Sequence, residues 1–215
     1  MKRFDLSLYL VLDPGLCRVR TMVETARLAV AGGATMVQLR DKEAGTSGLV
    51  ATGRALMDVL AGTGVKLIVN DDVEAAAAID AHGVHVGQDD MPAIEVRSRV
   101  GPDMILGLSA ENEAAVRAAD PAMVDYLGLG PVFATPTKPD HKPPIGFDGL
   151  AQLARLSPVP TVAIGGLKAE HVRSLFSTGV DGMAVVSAIC SHRAPDIAAR
   201  KLMAMIESER RRRDP

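Results

Sequence analysis

The chain has no tryptophan, and aromatic residues make up only 3% of its 215 positions. Four Phe and two Tyr cannot build the stacking platforms on which single strands are held, so a nucleic-acid partner is not expected. Strong net charge is missing too: the formal value is −2, which supplies no field for gathering polyanions, and an anionic ligand must be met by cations placed locally. The two cysteines, Cys17 and Cys190, stand far apart with no CxxC or His-rich spacing. They give neither a disulfide framework nor a zinc signature, and a reducing cytoplasm is the expected location. Catalytic signatures built on histidine are also absent. There is no HExxH, no metal-spaced His cluster and no His paired with an evident Ser or Cys nucleophile, which disfavours zinc and triad chemistry. Finally, no uncharged apolar run approaches the roughly 20 residues that span a bilayer. The longest candidate, Leu49 to Val69, contains Arg54, Asp58 and Lys66, while Asp5, Asp13 and Pro14 interrupt any signal-peptide core behind Lys2 and Arg3. Neither a membrane partner nor export is expected.

What the chain does have is 47% apolar content, enough to bury the core of one domain without a linker. Short apolar runs recur along it: Leu8–Leu12, Met36–Arg40, Lys66–Asn70, Gly83–Gly87, Met104–Ser109, the run from Tyr126, Thr161–Gly166 and Met183–Ser187. Helical periodicity lies between them. Leu49, Val50, Gly53, Leu56, Met57 and Leu60, for example, fall on one face with Arg54 and Asp58 opposite. Near-continuous apolar strands alternating with helices predict a parallel sheet closed into a single-domain α/β (β/α)8 TIM barrel over residues 1–209. A doubly wound open sheet would call for a Gly-rich fingerprint after the first strand, and Asp13-Pro14-Gly15-Leu16-Cys17 is not one. The closing residues 210–215, with four consecutive Arg, are expected as a solvated, disordered tail.

A barrel of this kind works at the carboxyl ends of its strands. Those ends carry Gln38, Arg40 and Lys42; Asn70 and Asp71; Asp90; Ser109; Thr135, Thr137 and Lys138; Gly165-Gly166; and Val186-Ser187. Hydroxyls, cations and glycines are a good inventory for an anion, and the last two loops are a common phosphate site in barrels. Cations facing two carboxylates suggest more than a phosphate pocket. Asp71 and Asp90 suit Mg²⁺, which takes one or two carboxylates and shares its other positions with phosphate oxygens and water. Each Asp also has a plainer reading: Asp71-x-x-Glu74 fits a capping box, and Asp90 could cap the next helix. His85, inside a strand, reads as a satisfied barrel histidine rather than a ligand.

Taken in order, Val37-Gln38-Leu39-Arg40-Asp41-Lys42, Asn70-Asp71-Asp72, Gly83 to Asp90, Asp125 to His141 and Val162-Ala163-Ile164-Gly165-Gly166 resemble the thiamine phosphate synthase family across all eight strands. The resemblance implies a transferase that joins a hydroxymethylpyrimidine diphosphate to a thiazole phosphate, or its carboxylated form, and releases diphosphate. It implies that Gln38, Leu39, Arg40, Asp41, Lys42, Asn70, Ser109 and Lys138 hold the pyrimidine diphosphate, with Lys138, Arg40, Lys42 and Ser109 closest to the chemistry. It further implies that Thr135, Pro136, Thr137, Gly166, Val186 and Ser187 hold the thiazole phosphate and that Asp71 and Asp90 bind one Mg²⁺. Small-molecule substrates are the partners implied, and a homo-oligomer is compatible with the sequence, which does not fix the oligomeric state. The loop from Phe133 to Gly146 is expected to close over both substrates. Three positions depart from the family pattern: Leu12 where Thr is usual, Asp41 where Glu is usual, and Lys168 at a helix start where Ser or Thr is usual. The competing readings are a thiazole tautomerase relative and a non-catalytic phosphate-binding barrel. The first lacks an evident acid or base after Ser109, and the second has no use for a leaving-group site.

Overall fold

The computed structural model describes residues 4–135 and 142–213. Within them eight parallel strands pair in sequence order and the last closes on the first. They are β1 (Leu8–Leu12), β2 (Met36–Leu39), β3 (Lys66–Asn70), β4 (Gly83–Val86), β5 (Ile105–Ala110), β6 (Tyr126–Leu129), β7 (Thr161–Ala163) and β8 (Gly182–Val185). Around them run α1 (Met22–Ala31), α2 (Gly45–Leu60), α3 (Val73–Ala78), α4 (Ala93–Val100), α5 (Glu113–Ala118), α6 (Gly146–Leu156), a 3-10 turn (Ala169–His171) leading into α7 (Val172–Phe176), the short α8 (Ser187–Cys190) and α9 (Pro195–Arg213). The expected (β/α)8 barrel is the fold. No helix among the described residues is long and apolar enough to cross a membrane.

Strand periodicity divides the apolar residues between two cores. Leu8, Leu10 and Leu12 point outward to the helices with Val37 and Leu39, while Tyr9, Val11, Met36, Ile68, Ile105, Tyr126 and Val162 fill the barrel. Phe4 stacks on Tyr126, with ring centroids 5.8 Å apart, and helps plug the floor. Each fully buried Leu contributes about 2 kcal/mol, so the continuous apolar strands stabilise both layers at once.

Two of the boundaries that differ from the sequence reading have a visible cause. Ser187, taken as the end of a strand, instead opens α8, because the chain turns at Val186 (φ −114°, ψ −81°). A four-residue helix is too short to leave a periodic signature. Residues 210–213, expected in a disordered tail, continue α9. Arg210 donates to the Asp181 carbonyl and lies 6.0 Å from the Phe176 ring centroid, and Arg211 and Arg212 pair with Glu207 and Glu209 one turn back. Residues 214–215 lie outside the described part. Cys17 and Cys190 remain free and buried, and Cys190 Sγ donates to the Val11 carbonyl at 3.5 Å where β1 meets α8.

Gly182 begins β8 with no room for a side chain, since a Cβ there would sit 1.7 Å from the Leu6 carbonyl oxygen. Gly182→Ala must push β8 off the segment entering β1. It should cost about 3 kcal/mol in urea unfolding, and a midpoint unchanged from wild type would show that the floor yields freely.

Candidate active site

At the carboxyl ends of the strands a cavity is lined by Gln38, Arg40, Lys42, Asn70, Asp71, Asp90, Ser109, Thr135, Gly166, Val186 and Ser187, so most of the residues expected from the sequence meet there. Strand parity explains two that do not. Gln38 is inward on β2, as Met36 is, whereas Leu39 is fully buried on the helix-facing side. The Asp41 carboxylate accepts from Glu43 N at 3.1 Å, closing its own turn. Leu39 and Asp41 therefore do not line the cavity, and the run from Gln38 to Lys42 contributes only alternate side chains. Pro136, Thr137 and Lys138 lie outside the described residues. The departure at Leu12 is explained in the same way: Leu12 faces the helices and Val11 lines the cavity, so a hydroxyl at position 12 would point away from it.

The cations are held by acids. Arg40 Nη1 pairs with Asp13 Oδ2 at 2.9 Å, both side chains largely shielded, which fixes the guanidinium at the rim. Lys42 Nζ approaches Asp71 Oδ2 at 3.7 Å. Asp71 adopts a left-handed backbone (φ 63°), which swings its carboxyl out of line with the helix and into the cavity. It is not the helix cap that its spacing to Glu74 suggested. That role falls to Asp72, whose carboxylate accepts from Ala75 N at 2.7 Å and from Thr46 Oγ1 at 2.8 Å. Asp90 is not a cap either. Its carboxylate accepts from Gly87 N at 2.7 Å across the turn after β4, and α4 starts behind Pro92 with no side-chain cap.

Neither candidate metal ligand caps a helix, and the two are brought together. Burial, then the hydrogen bond and charge of Asp90, push the Asp71 carboxyl up to about 6, with Lys42 and Asn70 opposing the rise. A half-buried Asp71 carboxyl facing the like charge of the exposed Asp90 is what a bound dication relieves, and two carboxylates are the number that Mg²⁺ uses when diphosphate supplies further oxygens. The residues present fit that ion.

The opposite wall comes from the last strands. Gly165 (φ 100°) and Gly166 (φ 65°) adopt backbone open to glycine, and they are crowded as well. A Cβ would lie 2.6 Å from Pro131 Cβ at Gly165 and 2.8 Å from Phe133 Cβ at Gly166. Their small size lets the chain after β6 pack against the loop after β7. Lys168 heads the following turn without a side-chain cap, and its own N–H donates to His171 Nδ1 at 3.2 Å. His171, stacked 4.6 Å from Phe133 centroid to centroid, thereby steadies the end that Lys168 leaves uncapped.

The sequence reading left out Val11, Gln88, Asp89, Glu111 and Lys142, all on the cavity wall. Lys142 Nζ lies 3.8 Å from Asp89 Oδ2, joining the loop after β4 to the one before α6. His85 is the satisfied barrel histidine that was expected, bonded through both ring nitrogens, yet it also lines the cavity. Its alternation with Gly83 and Gly87 was the available signal; nothing in the loop pattern marked Lys142.

Residues 8–189 match the family model described as thiamine monophosphate synthase. The chain belongs to the thiamine monophosphate synthase family. The thiamine-phosphate synthase of Azorhizobium caulinodans is 48% identical over 97% of this chain and 98% of its own, and that of Xanthobacter autotrophicus 49% over 97% and 99%. A solved thiamine phosphate pyrophosphorylase from Pyrococcus furiosus superposes with a TM-score of 0.85 at 34% identity, covering 95% of this chain and 96% of that one. The 3-hexulose-6-phosphate synthase of Salmonella typhimurium shares the fold alone, with a TM-score of 0.71 at 18% identity over 95% of this chain and all of its own. Membership in the synthase family makes the chain a transferase that forms thiamine phosphate.

The acid pair has a measurable cost. Because the folded Asp71 holds its proton more tightly than the unfolded one, folding stability from this group is present near pH 4 and is lost as pH rises through about 6. In metal-free buffer Asp71→Asn should therefore stabilise the protein by about 1–2 kcal/mol at pH 8, after discounting for solvent screening, and by little at pH 4. Urea titrations at the two pH values check this; equal effects at both would mean that the carboxyl ionises normally.

Proposed function

We propose that this cavity joins 4-amino-2-methyl-5-hydroxymethylpyrimidine diphosphate to 4-methyl-5-hydroxyethylthiazole phosphate, or to its 2-carboxy form. The observation that carries the reading is the placement of Asp71, Asp90, Arg40 and Lys42 on one side of the cavity and Gly166, Val186 and Ser187 on another. One side suits a leaving diphosphate and the other a terminal phosphate. In this reading the methylene C–O bond breaks and its electron pair leaves with diphosphate. The amino group stabilises the resulting cation, and the thiazole nitrogen lone pair forms the new C–N bond; a carboxylated thiazole then loses CO₂.

Such a route needs no protein nucleophile. It needs the leaving charge neutralised and water kept away. Arg40, preset by Asp13, and Lys42 face the diphosphate, with Lys138 a further cation in the family pattern. Mg²⁺ held by Asp71 and Asp90 would supply Lewis-acid charge on the phosphate oxygens. Gln38, Asn70 and Ser109 hold the pyrimidine half. Thr135, Gly166, Val186 and Ser187 hold the thiazole phosphate, joined in the family pattern by Pro136 and Thr137. Each phosphate brings about −1.5 to −2 charges, so the cations also limit repulsion between the substrates.

Incubating the purified protein with both substrates and Mg²⁺ should release thiamine phosphate and diphosphate in equal amounts, and consumption of neither substrate would overturn the reading. Asp71→Asn and Asp90→Asn should each raise the Mg²⁺ concentration needed for half-maximal rate by on the order of tenfold or more. An unchanged Mg²⁺ profile in both variants would remove the pair from metal binding. Ser187→Asp should abolish thiazole phosphate binding by like-charge repulsion while pyrimidine diphosphate still binds. Calorimetric titration with each ligand separately checks it, and equal loss of both would mean that the phosphate site is misplaced.

A further inference from the structure

Under the cavity floor runs an unbroken chain of side-chain hydrogen bonds. Gln38 Nε2 donates to the Tyr9 hydroxyl at 2.8 Å; Tyr9 and Tyr126 meet oxygen to oxygen at 3.0 Å; Tyr126 meets His85 Nδ1 at 3.0 Å; and His85 Nε2 meets Ser109 Oγ at 2.9 Å. Tyr9, Gln38, His85 and Tyr126 are all buried. Gly107 makes the central link possible, since a Cβ there would lie 2.2 Å from Tyr126 Cζ and 2.4 Å from His85 Nδ1. Burial pushes both phenols well above their ordinary range, so each keeps its proton. The chain begins and ends at cavity-lining residues, Gln38 and Ser109.

A buried chain of this kind has a direction. Because the Gln38 amide nitrogen donates to Tyr9, the Tyr9 proton must go onward to Tyr126, and the Tyr126 proton to His85 Nδ1. With Nδ1 accepting, the proton of His85 sits on Nε2 and goes to Ser109 Oγ, and the Ser109 proton is released toward the cavity. At the other end, Gln38 Oε1 takes no hydrogen bond from the described residues and belongs to a residue on the cavity wall. Mixed directions would strand a buried donor or set two lone pairs against each other, so the members reverse together or not at all.

We propose that this chain is a polarity relay for ligand selection: Tyr9, Tyr126 and His85 hold Gln38 as an acceptor and Ser109 as a donor, and so select a pyrimidine bearing an amino group over its oxo counterpart. The proposal rests on the pyrimidine reading above and adds residues to which that reading gives no role. Gln38 Oε1 accepts from the 4-amino N–H, and the Ser109 hydroxyl donates to a ring nitrogen. The 4-oxo ring sets a carbonyl oxygen against Gln38 Oε1 instead. Tyr9, Tyr126 and His85 are positioning residues.

Two measurements test this. In the ligand-free protein, ¹⁵N imidazole shifts should show His85 protonated on Nε2; a dominant Nδ1–H tautomer overturns the direction, whatever the enzyme binds. Calorimetry with 4-amino-2-methyl-5-hydroxymethylpyrimidine diphosphate, its 4-oxo analogue and inorganic diphosphate then measures discrimination. In Tyr126→Phe the Tyr9 proton loses its acceptor, and Gln38 is drawn to turn its oxygen inward. The Kd ratio favouring the amino form should fall by roughly tenfold or more, with inorganic diphosphate affinity unchanged within about twofold. Tyr9→Phe frees Gln38 but leaves Tyr126 donating to His85, so its ratio should fall less. A ratio preserved in both variants overturns the relay. Failure of the wild type to bind either pyrimidine would count against the substrate reading alone, because the tautomer is read without ligand.

Discussion

Closing the sheet is the constraint on which everything else here depends. Once β8 pairs with β1, every second side chain of every strand is committed to an enclosed interior that must be filled and whose polar atoms must all be bonded. At the floor this is done with Phe4, Leu6 and apolar strand residues; higher up the filling turns polar, through Tyr9, Gln38, Tyr126 and His85. Polar groups that deep are tolerable only because each finds the next. The same closure delivers the following inward positions, Arg40 and Ser109, to the open end.

The open end runs against stability. Asp71 stands in a left-handed backbone beside another carboxylate, and the burial that sharpens electrostatics for a ligand makes its ionisation harder. Neighbouring residues take over the structural tasks that such groups would otherwise perform. Asp72 caps α3, and Asp13 steadies Arg40. The division between adjacent aspartates, one fastening a helix and one facing the cavity, concentrates the strain at the cavity while the barrel beneath it stays well packed.

Much of this was legible in the sequence because parallel strands buried on both faces read as plain apolar runs, and because strand ends are where chain order and cavity position coincide. The places where the structure departs from the plain sequence pattern share physical causes. Leu39 and Asp41 were grouped with their neighbours as a contiguous motif, although a strand presents only alternate residues to one side. Asp71 and Asp72 are equally good caps by composition, and only the backbone dihedral tells them apart. The arginines after Glu209 were judged by their charge alone, when the acids three and four residues earlier and the Phe176 ring make a last helical turn of them. Lys142 reaches the cavity through a loop, where no period governs which side chain turns inward.

The loop after β6 stands on closely fastened feet. Val132 N and Phe133 N donate to Ile164 and Gly165 carbonyls, while Ile145 N and Gly146 N return to Pro131 and Val132, and the approach is so close at Gly130 that a Cβ would sit 2.1 Å from the Ile164 oxygen. The two ends of the loop are therefore positioned by the barrel and by each other, independently of what lies between. Doubling the length of a segment with fixed ends costs only about 0.6 kcal/mol in closure entropy. The barrel thus provides a socket in which the length of the intervening segment can change while the wall built by β6 and β7 keeps its shape.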